Sequence, residues 1–339
     1  MHPRCNPVSF GATILDADGL RLTKDETAFF REANPFGFIL FARNIETPDQ
    51  VYALCSDFRD AVGRDAPITI DQEGGRVQRL RAPTWTDWSP PLDFIHAAGD
   101  EAERAMYLRY RLIAHELKAL TIDSNCAPMV DVIVRETHSF LRNRCYGASP
   151  GDVAALGRAA ANGMLEGGVL PVLKHIPGHG RTDLDSHFDL PVVHTELELL
   201  QETDFAPFRD LNDLPMGMTA HVVYRDVDDA PATLSRDMMR LVREDIGFDG
   251  LIMTDDIGMK ALSGTIPQIT AGALAAGCDV ILHCNAPLAD RVMSANAAGE
   301  MTEAAQTRAE AALEARRKPD DIDIAELNAE LEALLAGGA

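Results

Sequence analysis

The sequence predicts a single (β/α)8 TIM-type barrel with extra C-terminal helices, and three observations carry that expectation. Eight short apolar segments rich in β-branched residues recur along the chain, helix-compatible stretches alternate with them, and chemically active residues cluster where the apolar segments end. Eight strands are the number that closes a parallel barrel, whose site lies on the loops at the strand C-termini. The expected strands are 9–15, 36–42, 67–71, 126–132, 169–175, 216–223, 250–255 and 279–284. Helices are expected after Thr23, after Thr47 and from Gly151 through Leu165. Thr47-Pro48 and Ser149-Pro150 have the N-cap-then-proline order that opens a helix. Residues 298–317 and 324–336, rich in Ala, Glu and Leu with helical period, read as helices on the barrel's outside. The chain is therefore expected to be one barrel domain over 1–339, with 298–339 as its helical extension. An open doubly wound sheet is the rival, but no Gly-x-Gly-x-x-Gly follows an early strand.

Composition narrows the function. With 46% hydrophobic residues among 339, the chain can fill a full core. No apolar run approaches the ~20 residues of a membrane span, and Met1 through Pro7 lack a signal-peptide core, so a soluble, cytoplasmic protein is expected. The six cysteines, at 5, 55, 126, 145, 278 and 284, have no metal-ligand spacing and suit a reducing compartment. A formal charge of -22 disfavours nucleic acid or anionic membrane as partner, because phosphate binding needs clustered Lys and Arg. A monomer acting on a small molecule is the expectation.

The chemistry concentrates after the fifth strand, in Lys174-His175-Ile176-Pro177-Gly178-His179-Gly180 and Arg181-Thr182-Asp183-Leu184-Asp185-Ser186-His187. Asp185 and His187 are two apart, so in locally extended chain their side chains share one side and the carboxylate can orient and polarise the imidazole. His175 and His179 have the spacing of a helical zinc pair, but Pro177, Gly178 and Gly180 oppose a helix there, and no metal or other cofactor is expected. The bland alternative is a polar loop tied down by its own histidines. The third strand runs into Asp71-Gln72-Glu73-Gly74-Gly75-Arg76-Val77-Gln78-Arg79, which reads either as a polyol-binding rim or as a solvated turn. Trp85 and Trp88 lie in a loop, where packing is favoured over stacking on a ligand. His221 ends a strand, as a pocket residue or a structural one. Asp255 and Asp256 follow the seventh strand. Only one should enter the barrel mouth, but a barrel strand is apolar on both faces and its periodicity does not choose between them.

Together, Lys-His-Ile-Pro-Gly-His-Gly with Asp-Ser-His, the Asp71–Arg79 run, Arg144-Cys145-Tyr146-Gly147 and the Asp255-Asp256 segment resemble the motifs of glycoside hydrolase family 3, in its β-N-acetylglucosaminidase branch. The likeness spans most of residues 8–290. Ile176 stands where the family commonly has Phe, and Ala148-Ser149 where an acidic residue usually follows the glycine. The resemblance implies Asp255 as nucleophile and His187 as acid/base, with Asp185 beside it. It further implies that Asp71, Arg79, Arg144, Lys174 and His175 bind sugar, and that the substrate is a carbohydrate, GlcNAc linked β-1,4 to anhydro-muramic acid in muropeptides. The expected reaction is retaining hydrolysis through a glycosyl-Asp255 intermediate. A family 3 β-glycosidase of other specificity, or a phosphorylase, is the near alternative. A metal-dependent hydrolase using His175, His179 and His187, and a silent carbohydrate-binding barrel, are the distant ones.

Overall fold

The structure is a computed structural model that describes residues 9–182 and 190–337. The eight parallel strands of its main sheet are β1 (Gly11–Leu15), β2 (Pro35–Leu40), β3 (Ile68–Ile70), β4 (Ser124–Asn125), β5 (Leu170–Ile176), β6 (Met216–Thr219), β7 (Leu251–Met253) and β8 (Ile281–His283). They pair in sequence order from β1 to β7, with β8 beside β1. A parallel bridge between Met253 and Val280 joins the last two, so the sheet closes into the expected barrel.

Alternation of side chains sorts the core into two layers. Ala12, Ile14, Leu170, Val172, Met216, Met218, Leu251 and Met253 pack together inside the barrel. Leu15, Phe38, Ile68, Ile70, Leu173 and Ile252 pack outward against the helices. That alternation carries the strands' chemistry into the mouth: Lys174 continues the inward series Leu170, Val172, and Asp255 continues Leu251, Met253. Asp71 likewise follows Thr69 on the inner face, since Ile68 and Ile70 face out.

The helix starts follow the capping signals. Thr47 caps Pro48–Val62 by accepting the Gln50 N–H, Ser149 caps Pro150–Glu166, and Thr23 with Glu26 forms a reciprocal capping box on Lys24–Ala33.

Two expectations need correction. The fourth strand is not 126–132: its ladder pairs only Ser124–Asn125 with its neighbours, and Met129 bridges Lys174 alone. Pro128 has no N–H to give a ladder, so regular pairing stops before it. The helix Glu303–Glu314, expected on the barrel's outside, instead closes its floor. Ala305, Ala309 and Ala312 join the inner core, while Arg308 and Arg316 reach Asp279 and Asp123 at the strand starts. Alanine is small enough to lie across the strand ends. The second tail helix, Ile324–Gly337, lies against the outer helices, with Glu330 paired to Arg104.

Candidate active site

At the C-terminal end of the strands lies a cavity of about 290 Å³, near the lower bound of the roughly 300–1,000 Å³ usual for small-molecule sites. Asp71, Arg79, Arg144, Lys174, His175 and Asp255 all line it, although they come from four different strand ends. His179, His221 and Asp256 line it too. Asp185 and His187 lie outside the described residues. The loop that leads toward them leaves from the cavity wall at His179, where Thr182 donates from its hydroxyl to the His179 carbonyl and Thr137 to that of Gly180. Gly180 is required there, because a Cβ would stand 1.9 Å from the Val132 carbonyl oxygen.

One wall is a network of five charges in which Glu73, Arg144 and Lys174 are buried and Asp71 and Arg79 half-buried. The Lys174 ammonium lies 3.1 Å from Asp71 and 2.6 Å from Glu73, Arg79 meets Asp71 at 2.9 Å, and Arg144 grips Glu73 with two bonds of 3.0 and 2.9 Å. Burial alone would raise both carboxyls, but the neighbouring cations outweigh it and hold Asp71 and Glu73 below their ordinary range. Lys174 and Arg144, penalised by the same burial, are held above theirs by those carboxylates. The network therefore stays ionised, with its donors and acceptors held in place along the cavity wall.

Glu73 was not singled out by the sequence, where it reads as one charge in a glycine turn. The turn folds it inward: Gln72–Gly74 and Val77–Gln78 form a small antiparallel ribbon, and Gly74 and Gly75 have φ of +110° and +59°. Buried Arg109 then fixes the ribbon by donating to the carbonyls of Glu73 and Ser89. Trp88 is buried with its ring beneath Arg109, and neither tryptophan lines the cavity.

The second wall centres on Asp131, also missed. Its Oδ2 lies 2.8 Å from His175 Nδ1, and its Oδ1 accepts the backbone N–H of His179 at 2.6 Å and of His175 at 3.3 Å. A carboxylate between Val130 and Val132 was the available signal, since a charge in an apolar strand must be paired. The Lys174–His175 and Ile176–Pro177 peptides in this stretch are cis. Burial, with His175 as the next cause, pushes His179 down to about 3, so its ring is neutral at pH 7.

Asp255 completes the floor. Burial would raise its carboxyl, but His221, His175 and the Asp256 backbone N–H, at 2.8 Å, hold it low and therefore ionised. Asp256 behaves oppositely: burial lifts it to about 6 even though Gly258 and Cys284 donate backbone N–H groups to it. His221 serves both roles weighed for it, lining the cavity while bonding Thr233 at 2.7 Å and the Asp256 carbonyl at 3.1 Å. Among the described residues no three His, Cys, Asp or Glu side chains gather as metal ligands do. No described helix is long and apolar enough to cross a membrane.

Residues 14–313 match the family model described as the glycosyl hydrolase family 3 N terminal domain. The chain belongs to glycoside hydrolase family 3. It is 36% identical to a β-hexosaminidase of Tolumonas auensis over 81% of this chain and 83% of that one. It is 37% identical to a β-hexosaminidase of Bordetella avium, over 84% and 83%. In three dimensions it resembles native NagZ from Neisseria gonorrhoeae with a TM-score of 0.82 and 29% identity, covering 98% of both chains. Membership makes the chain a glycoside hydrolase.

Proposed function

We propose that the chain is a retaining β-N-acetylglucosaminidase that releases terminal GlcNAc from β-1,4-linked anhydromuropeptides during cell-wall recycling in the cytoplasm, working as a monomer. The observation that carries this reading is Asp255: an ionised carboxylate on the cavity floor, facing donors and acceptors already fixed for a sugar. The hexosaminidase relatives and the NagZ likeness support the N-acetylglucosaminide class.

In this mechanism Asp255 attacks the anomeric carbon and the glycosidic oxygen leaves with a proton from His187. Asp185 holds the imidazole's orientation and favours its cationic form. Water then enters, gives its proton back to His187 and breaks the glycosyl-Asp255 ester, so configuration is retained. Support for His187 and Asp185 rests on the Asp-Ser-His motif and on a loop that starts at the cavity wall. Asp71, Arg79, Arg144, Lys174 and His175 bind the glycone hydroxyls.

The test is proton NMR of the first product formed from a purified GlcNAc-β-1,4-anhydromuropeptide. β-GlcNAc appearing first supports the reading; α-GlcNAc first rejects the retaining mechanism, and no cleavage rejects the substrate. Running the reaction with and without phosphate separates hydrolysis from phosphorolysis.

A further inference from the structure

His175 presents one face to the cavity and the other to Asp131, and the second contact decides what the first can do. Asp131 is fully buried, and it is ionised: burial would raise it, but His175 and the other groups around it hold it low. A carboxylate can only accept hydrogen bonds. Its Oδ1 is used by the two backbone N–H groups of His179 and His175, so its Oδ2, 2.8 Å from His175 Nδ1, must receive a proton from that nitrogen. Neutral His175 is then the Nδ1–H tautomer, and its Nε2 is a bare lone pair.

We propose that Asp131 is a positioning residue for glycone binding: it fixes His175 as the Nδ1–H tautomer, so that Nε2 accepts a hydrogen bond from a sugar hydroxyl. The same carboxylate ties the backbone of His175 and His179 to the stretch that follows the fourth strand and so seats the Lys174–Gly180 segment. The cavity that His175 lines is also lined by the donors Lys174, Arg79 and Arg144, each held by carboxylates. An acceptor among them lets one hydroxyl donate to His175 while accepting from a cation. The inference rests on the assignment of His175 to sugar binding made above.

Asparagine at 131 is the discriminating change because it keeps the shape and loses one acceptor. Its carbonyl oxygen must still serve the two backbone N–H groups, which turns the amide NH2 toward His175. Nδ1 can meet that donor only as an acceptor, so the ring proton moves to Nε2. The experiment records 15N NMR of the imidazoles of the full chain, at a pH where His175 is neutral, in the parent enzyme, Asp131→Asn and His175→Gln, the last to assign the signal. Steady-state kinetics on an aryl N-acetyl-β-glucosaminide accompany it.

The expected results are an Nδ1–H ring in the parent, an Nε2–H ring in Asp131→Asn, and a loss of between about tenfold and a hundredfold in kcat/KM, the size of one hydrogen bond involving a charged network. A merely structural role would lower stability without exchanging the ring nitrogens. An Nε2–H ring in the parent enzyme overturns the proposal even if the variant does not fold. An exchanged tautomer with unchanged kinetics overturns it through the reading beneath, because His175 then does not meet the sugar.

Discussion

Replacing Glu73 with glutamine removes one charge from the centre of the five-charge wall and leaves its shape intact. Glu73 is 1% exposed and is shared by Lys174 and by both arms of Arg144, which are themselves 2% and 6% exposed. Two routes give the cost. Breaking a buried pair by neutralising one partner typically costs about 3–5 kcal/mol, because the other charge stays buried without compensation. Independently, burial would raise the Glu73 carboxyl from its ordinary 4.5, yet Arg144 and Lys174 hold it down to about 2, which at about 1.36 kcal/mol per pH unit corresponds to roughly 3 kcal/mol. The sign follows from the depressed value: this stability is fully present above pH 4.5 and is lost as pH falls toward about 2. Urea unfolding at pH 7 should therefore show Glu73→Gln less stable by about 3 kcal/mol, and the parent's extra loss between pH 4.5 and 2 should shrink in the variant. A variant within about 1 kcal/mol of the parent at pH 7, with the same acid slope, would refute the idea that Glu73 organises the wall.

Three other changes probe the site. Asp255→Asn should lower turnover of an aryl N-acetyl-β-glucosaminide by at least about a thousandfold in a protein that still folds, somewhat less stable at pH 7 because the depressed carboxylate is lost, and near-normal turnover would remove Asp255 as nucleophile. His187→Ala should slow glycosides with poor leaving groups far more than activated aryl ones; equal losses would argue against proton donation. Asp256→Asn should raise stability at pH 7 by up to about 3 kcal/mol, because a carboxyl lifted to about 6 opposes folding wherever it is ionised. That penalty is relieved as pH falls from about 6 to 3.8, so the two proteins should converge in stability toward acid pH. A destabilised asparagine variant at pH 7 would show that the Asp256 charge is needed where it stands.

The barrel was legible because its signals are local: strand-like runs, capped helix starts and glycine turns each sit within a few residues. Of the residues singled out through motifs, Asp71, Arg79, Arg144, Lys174, His175 and Asp255 share one cavity, while Asp185 and His187 lie outside the described residues. What the chain could not show is which distant charges neutralise one another. Glu73 looks like a solvated turn residue until the ribbon folds it against Lys174 and Arg144. Asp131 looks like a strand residue until His175 and His179 arrive over it. The choice between Asp255 and Asp256 was closed to periodicity in the sequence, since Leu251, Ile252 and Met253 are all apolar; the folded barrel turns Leu251 and Met253 inward and Ile252 outward, yet beyond the strand's end both Asp255 and Asp256 line the cavity, where only one was expected. The fourth strand was misplaced because apolar composition conceals the missing N–H of Pro128.

The most direct test uses His187→Ala with an activated aryl N-acetyl-β-glucosaminide, which needs no proton donor to leave but still needs a base to admit water. The glycosyl-enzyme should accumulate, and peptide mapping by mass spectrometry after an acid quench should find one N-acetylhexosamine on the peptide carrying Asp255. An adduct on any other side chain, or no adduct together with α-GlcNAc as the first product of the parent enzyme, would contradict the account.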